Sequence, residues 1–322
     1  MNFKDYTRRG CAWIWSKVGH VFGDETYLKV RFRLLMGKKL NLKDPQTFSE
    51  KLQWLKLYNR RPEYTKMVDK YAVKEYVLGI IGEEFVIPTL GVWDNPEEIE
   101  WEKLPNQFVL KTTHGGGSNG VVICRDKTTF DKVAAISVLK KNMKCSDWRI
   151  QMEWPYKDVP HRIIAEKYIE PSTEEGDLKD YKFFCYNGKM EFFKIDFDRR
   201  SDHHANYYDR EGKLLPFGEK DYPPKPEKEI TLPSNLFQMI VLAEKIAKGS
   251  IFERIDLYNV NGHIYFGEIT LYPAGGLGKY VPDQWDYKIG QLLDLKPVWG
   301  GVIVRFRVVL NEETERRYRL CA

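Results

Sequence analysis

The stretch from Phe108 to Cys124 restricts this chain more than any other. Two apolar runs, Phe108-Val109-Leu110 and Val121-Val122-Ile123-Cys124, enclose Lys111 and the tip His114-Gly115-Gly116-Gly117-Ser118-Asn119-Gly120, in which four of seven residues are glycine. Such a tip suits neither a helix nor a strand, so the runs read as paired strands and the tip as the loop between them. Glycines without side chains let backbone N–H groups close on an anion, and a nearby lysine adds positive charge. The stretch is read as a flap over nucleotide phosphates; an ordinary glycine-rich hairpin is the alternative. It is not a Walker A loop, because it lacks a Gly-Lys-Ser/Thr ending. It is not a Rossmann fingerprint, because the loop leads to a strand and not a helix.

A chain of 322 residues, 43% hydrophobic and 30% charged, can bury a large core and divides into two or three domains. Its net charge of +5 suits an anionic ligand, but no dense Lys/Arg tract marks a nucleic-acid binder. Five scattered cysteines, never spaced Cys-x-x-Cys, disfavour a zinc site or a disulfide scaffold and fit a reducing cytoplasm. No run is long enough to cross a membrane. Trp13-Ile14-Trp15 stands among basic residues near the start, without the apolar centre of a signal peptide. A helix packed on the body is the favoured reading there, and an interfacial helix touching a membrane the alternative.

Along the chain, residues 24–60 read as helical with a break at Asp44-Pro45, and Thr47-Phe48-Ser49-Glu50 caps the second half. Residues 65–78 read as one helix, with Val68, Tyr71, Ala72 and Tyr76 inward. A strand is expected at 87–93, a helix at about 129–143, and a strand at 162–170 ending before Pro171. Strands then follow at 181–185 and 190–197 around Asn187-Gly188, and at 205–208 and 213–215. A helix at 235–248 precedes a hairpin, 251–258 and 264–271, through Asn261-Gly262. Helices first, then mixed strands and helices, indicate an α+β (mixed α/β) protein.

The second hairpin carries the strongest local signal. A two-residue loop would pair Asp256 with Gly267, whereas a longer or bulged connection sets Asp256 opposite Glu268. The second register gathers Arg254, Asp256, Glu268 and Thr270 on one face and Ile255, Leu257, Tyr265, Gly267 and Ile269 on the other, and is favoured for that sorting. Two facing carboxylates repel unless a cation lies between them, and magnesium with substrate phosphates satisfies both. Arg254 then reaches a phosphate or acyl-phosphate oxygen. A solvated strand face with an Arg–Glu pair is the alternative. Ala165-Glu166-Lys167-Tyr168-Ile169 can offer adenine a backbone donor, a backbone acceptor and apolar walls, or be an amphipathic edge strand. Lys182 can touch phosphate from the floor of a cleft, or be an exposed strand lysine. Residues 196–209, with Arg199, His203 and His204, read as a loop binding an anionic acceptor, with a solvated charged loop close behind. There is no Gly-x-Ser-x-Gly elbow, no His-Glu-x-x-His and no convincing cysteine nucleophile.

In this order the pieces resemble the ATP-grasp superfamily and, more closely, the TupA-like ATP-grasp family of bacterial surface-polysaccharide gene clusters. The resemblance rests on Thr47–Trp54, on Asp69-Lys70-Tyr71-Ala72-Val73-Lys74, on Phe108–Gly117, on Arg254-Ile255-Asp256-Leu257-Tyr258 and on Gly267-Glu268-Ile269-Thr270-Leu271-Tyr272-Pro273, and covers about residues 25–295. It implies an ATP-grasp fold, with the nucleotide held between two α+β subdomains behind a helical N-terminal region. The corresponding division is 1–106 helical, 107–170 lid with the glycine flap, 171–296 metal and acceptor subdomain, and 297–322 extension. The implied activity is ATP-dependent carboxylate–amine ligation through an acyl phosphate, attaching an amino acid or peptide to a uronic-acid-containing surface polysaccharide or its precursor. A glycosyltransferase is the runner-up, with Asp196-Phe197-Asp198 as its metal motif.

Carried over by motif, Lys70 and Lys111 hold phosphates, and Gly115, Gly116, Gly117 and Ser118 cover them. Glu166, Lys167 and Ile169 line the adenine site. Lys182 reaches phosphate, Arg254 stabilises the acyl-phosphate centre, and Arg199 belongs to the acceptor loop. Asp256 and Glu268 bind Mg2+. Many ATP-grasp enzymes have an Asn where Thr270 stands, which leaves a second magnesium open. The tail, 297–322, departs from the family pattern, although 302–310 alternates like a strand.

Overall fold

The computed structural model describes residues 3–116, 120–145, 148–171, 178–199 and 202–296. Gly117, Ser118 and the strand expected over 302–310 lie outside the described residues. The chain opens with α1 (Phe3–Val18), α2 (Asp24–Met36), α3 (Phe48–Tyr58), α4 (Glu63–Val68) and α5 (Ala72–Ile81). The predicted cap of α3 is present as a reciprocal pair. Thr47 Oγ1 accepts from Glu50 N (3.3 Å), and Glu50 Oε2 accepts from Thr47 N (3.0 Å). Glu50 also accepts from the backbone N–H groups of Asn41 and Gln46, so one carboxylate ties the preceding loop to the helix. Such a cap contributes about 1 kcal/mol.

The single helix expected over 65–78 is two helices. Asp69 leaves the helical region (ψ 114°), and its Oδ1 accepts from Tyr71 N (2.8 Å) and Ala72 N (3.3 Å), which starts α5 afresh. The restart rotates the pattern. Tyr71 lies at the surface, and Val73, Val77 and Ile81 are the buried positions of α5.

A four-stranded antiparallel sheet follows, from β1 (Thr89–Trp93), β2 (Phe108–Thr112), β3 (Val121–Cys124) and β4 (Ile163–Lys167), in the order β1-β4-β2-β3. The glycine tip joins β2 to β3, as expected of a hairpin, and Lys111 pairs with Val121. Helix α6 (Lys132–Met143) packs on this sheet, and α7 (Trp148–Gln151) leads back towards the helical region. The sheet has a core of its own, built from Ile99, Leu104, Phe108, Leu110, Leu139 and Ile163. β4 stops at Lys167, earlier than the expected 170, so Tyr168 and Ile169 lie beyond the ladder.

A five-stranded antiparallel sheet forms the body: β5 (Asp180–Tyr186), β6 (Lys189–Phe197) and β7 (His204–Asp209), then, after the short β8 (Gly218–Glu219) and helix α8 (Leu236–Ile246), β9 (Phe252–Val260) and β10 (His263–Thr270). Its order is β10-β9-β5-β6-β7. The strand expected at 213–215 is a single bridge between Leu214 and Tyr208. β11 (Tyr280–Val281) pairs with β8, and α9 (Gln284–Leu292) packs on α3. Phe183, Phe193, Ile255 and Ile269 are buried in the main core with Met239, Ile240 and Ala243 of α8. Alternation along β5, β6 and β9 sets Phe184, Phe192 and Phe252 on the sheet's opposite face. That face is apolar at one end, where Phe184 stacks on Phe192 and Phe252 meets Phe48 of α3. Its other end is charged, and the candidate site lies there.

Candidate active site

The acidic hairpin reaches its register in an unexpected way. The turn Asn261-Gly262 is a two-residue loop with positive φ at both positions, and His263 pairs with Val260. The shift comes later, as a bulge: Phe266 pairs with Leu257, Gly267 is the extra residue, and Glu268 faces Asp256. Thr270 then faces Arg254. A Cβ on Gly267 would lie 3.0 Å from the carbonyl oxygen of Asp256, so glycine fits the close approach of the two backbones.

Arg254 is the cation between the facing carboxylates. Its Nε and Nη2 each donate to Asp256 at 2.7 Å, and Nη2 also reaches Thr270 Oγ1 (2.9 Å) and Glu268 Oε1 (3.3 Å). From the neighbouring strand, Lys182 Nζ donates to Asp256 Oδ2 (2.7 Å) and to Asp180. Lys182 is therefore buried among carboxylates, not an exposed strand lysine. Burial works against ionising Asp256, but Arg254 and Lys182 outweigh it and hold the carboxyl below its usual range. Asp180 goes the other way: burial raises its pKa, Lys182 opposes this, and Asp256 and Asp196 raise it further. Among the described residues its buried Oδ1 has no hydrogen-bond partner, and Arg199 approaches its Oδ2 at 3.5 Å.

The charged row continues across β6, and Lys194 and Glu219 are residues that the sequence reading does not single out. Lys194 pairs with Glu219 of β8 (2.9 Å), and Asp196 lies 3.6 Å from Lys194 and 3.2 Å from His203 Nε2. The alternations Asp180-x-Lys182 and Lys194-x-Asp196, each inside an aromatic strand, were the available signal. Asp196 and Asp198 do not converge. Asp196 faces Lys194 and His203, while Asp198 takes Lys228 at 2.7 Å.

The four-stranded sheet and its helical approach contribute the opposing cations. Glu166, buried on β4, accepts from Lys111 Nζ (2.5 Å) and lies 2.6 Å from Lys74 Nζ of α5. Against burial, the two lysines pull its carboxyl down to about 2. The Glu166 side chain clasps two lysines, which leaves its backbone for the expected adenine contact; one of the two, Lys74, is not among the candidates. Lys167 is exposed at the end of β4, and Ile169 follows it outside the strand. Lys70, on the break between α4 and α5, donates through its ammonium to Gly115 O and through its backbone N–H to Thr113 O (3.1 Å).

The two sides meet electrostatically at Glu268. Burial pushes the Lys70 ammonium down, and Glu268 is the leading influence opposing it. Burial also opposes charge on Lys111, but Glu166, Tyr258 and Glu268 together hold its pKa above the usual value. A parallel bridge between Val86 and Phe266 fixes the approach to β1 beside β10. Lys70 and Lys111 therefore both lie within electrostatic reach of Glu268 on the acidic hairpin.

Among the described residues, no group of three or more His, Cys, Asp or Glu side chains forms a ready metal cluster. Mg2+ does not require one, since it takes one or two carboxylates and completes its shell with phosphate oxygens and water. Asp256 and Glu268 are hard oxygen donors opposite one another, with Thr270 Oγ1 3.3 Å from Glu268 Oε1, and this donor set fits the ion.

The sequence matches the family described as TupA-like ATPgrasp over residues 50–294. A search of curated proteins found no match. Solved structures similar to the chain include the D-alanine–D-alanine ligase from Bacillus anthracis, at 21% identity, covering 64% of this chain and 57% of that one, with a TM-score of 0.37. The D-alanine–D-alanine ligase from Helicobacter pylori is 15% identical, with 78% and 70% covered and a TM-score of 0.40. A RimK domain ATP-grasp protein from Sphaerobacter thermophilus is 10% identical, with 73% and 70% covered and a TM-score of 0.40. The chain spans little more than half the length of the Bacillus anthracis ligase.

Proposed function

The chain belongs to the TupA-like ATP-grasp family, and from that premise we propose that it is an ATP-dependent carboxylate–amine ligase. Residues 107–170 serve as the lid and 171–296 as the metal and acceptor unit, behind the helical region 1–106. The observation that carries this reading is the setting of Glu268: it stands opposite Asp256 on the hairpin, and both Lys70 of the helical region and Lys111 of β2 feel its charge.

In the proposed reaction an acceptor carboxylate oxygen attacks the γ-phosphorus of ATP, and the bond to the bridging oxygen breaks to release ADP. An amine then attacks the acyl-phosphate carbon, loses a proton and expels phosphate, leaving an amide. Lys70 and Lys111 hold phosphate oxygens, and Gly115, Gly116, Gly117 and Ser118 close over them. Glu166 positions Lys111 and Lys74. Lys167 and Ile169 offer adenine backbone contacts where the chain leaves β4. Asp256 and Glu268, with Thr270 beside them, would hold Mg2+, which when bound neutralises phosphate charge. Arg254 moves its guanidinium onto the acyl-phosphate oxygens, while Lys182 keeps Asp256 ionised and in place. Asp196 orients His203 as a proton acceptor for the amine, and Arg199 meets the anionic acceptor. Phosphoryl transfer of this kind is mainly positioning and charge neutralisation, and needs no protein nucleophile.

The acceptor we propose is a uronic acid of a bacterial surface polysaccharide or its precursor, and the amine an amino acid or peptide, joined in the cytoplasm where ATP is present. The test is ADP release from ATP and Mg2+ across a panel of uronic acids and amino acids. ADP release that requires one of each supports the reading, and ADP release with neither dependence sinks it. The glycosyltransferase alternative requires Asp196 and Asp198 to share an ion, whereas they face separate partners.

A further inference from the structure

Helix α1 has two unlike faces. Ala12 and Ser16 are buried against the body, and Trp15 Nε1 donates to Tyr27 O (3.1 Å), so one face packs on α2 as the sequence reading expected. The other face, continued by the turn at Gly19–Phe22, presents Trp13, Ile14, Val18, Val21 and Phe22, each more than half exposed. Five large apolar side chains exposed within ten residues differ from the single exposed apolar residues scattered over most surfaces.

We propose that this face docks on an anionic lipid bilayer, with α1 lying in the plane of the headgroups. No helix among the described residues is long and apolar enough to cross a membrane, so the contact is interfacial. Charge complementarity selects the occupant. Residues 3–22 carry four basic residues, Lys4, Arg8, Arg9 and Lys17, against one acidic residue, Asp5. Arg8, Arg9 and Lys17 are exposed on the same helix, Arg9 3.8 Å from the exposed Asp221 carboxylate, and the Lys17 ammonium sits 5.8 Å over the Trp13 ring. Basic residues rimming Trp and Phe describe a helix that anchors at the headgroup boundary. A second copy of the chain on this face would bring two basic rims together.

The test is co-sedimentation of the full chain with phosphatidylcholine vesicles, with and without phosphatidylglycerol. The expected result is binding that needs the anionic lipid and weakens in high salt. Ile14→Ser with Val18→Ser should lower the partition coefficient by about tenfold or more. Arg9→Glu with Lys17→Glu should lower it by at least about fivefold per charge, on anionic vesicles only. Both pairs lie at the surface, and an unchanged unfolding midpoint verifies their fold. A full chain that stays in the supernatant with anionic vesicles overturns the proposal. So does a concentration-dependent dimer abolished by the same variants in the absence of vesicle binding.

Discussion

Glu268 stands directly opposite Asp256 because Gly267 is an extra residue between two regular stretches of the same ladder. Without that bulge, Asp256 would face Gly267 and Glu268 would turn to the other side of the hairpin. Gly267→Val places branched carbon against Asp256 O, where even a Cβ would be 3.0 Å away. The expected outcome is a stability loss of about 1–3 kcal/mol with at least a tenfold fall in ATP turnover. Urea unfolding and ADP release measured on one preparation check it, and wild-type turnover would dismiss the facing pair as the working geometry.

Asp256→Asn keeps the shape and removes the charge between Arg254 and Lys182. Two buried cations then lose their shared partner, so stability should drop by about 3 kcal/mol while the circular dichroism spectrum stays native. ATP turnover should fall by about a hundredfold or more. A folded variant with normal ADP release would remove the proposed magnesium site.

Lys111→Ala deletes one phosphate contact and leaves Glu166 to Lys74. The Kd for ATP should rise by about ten- to a hundredfold, the cost of a charge-assisted hydrogen bond. Calorimetric titration with ATP reads this directly, and unchanged affinity would argue against a flap over phosphates.

A separate prediction concerns pH and lies away from the candidate site. Glu253 is buried on β9, and among the described residues neither carboxyl oxygen has a hydrogen-bond partner, since the nearby Ser250 hydroxyl donates to Ala247 O (2.7 Å). Burial pushes its pKa up to about 8, against a smaller opposing pull from Arg61. Between the unfolded value near 4.5 and the folded value near 8, the folded chain binds more protons than the unfolded one. The stability that neutral Glu253 contributes is complete below that window and is lost as pH rises through it, by up to about 1.4 kcal/mol per pH unit. Glu253→Gln should match the wild type near the acid end and exceed it at the alkaline end. Parallel denaturation curves across the window are the check, and an equal pH slope in both proteins would refute it.

The readable parts of this chain were those whose periodicity or turn residues act locally. Thr47 and Glu50 announce their cap within four residues, and the polar and apolar alternation of 254–257 and 268–270 revealed the facing carboxylates. The misread parts depended on distant partners. One helix over 65–78 was consistent with its apolar spacing, but the Asp69 side chain caps a new helix and takes Arg162 Nη2 at 3.0 Å, from far along the chain. The role of the Glu166 side chain is also invisible locally, because no nearby pattern shows that Lys74 and Lys111 converge on it. Likewise, Lys194, Asp196, His203 and Glu219 become one network only after β6 pairs with β5 and β8 settles beside β7.

The four-stranded sheet has an apolar interior separate from that of the body. Its links to the helical approach include Lys70 to Gly115 and Arg162 to Asp69, which are polar contacts that water can replace. The junction between the two oily centres thus rests in part on charged pairs, whose strength falls as salt rises.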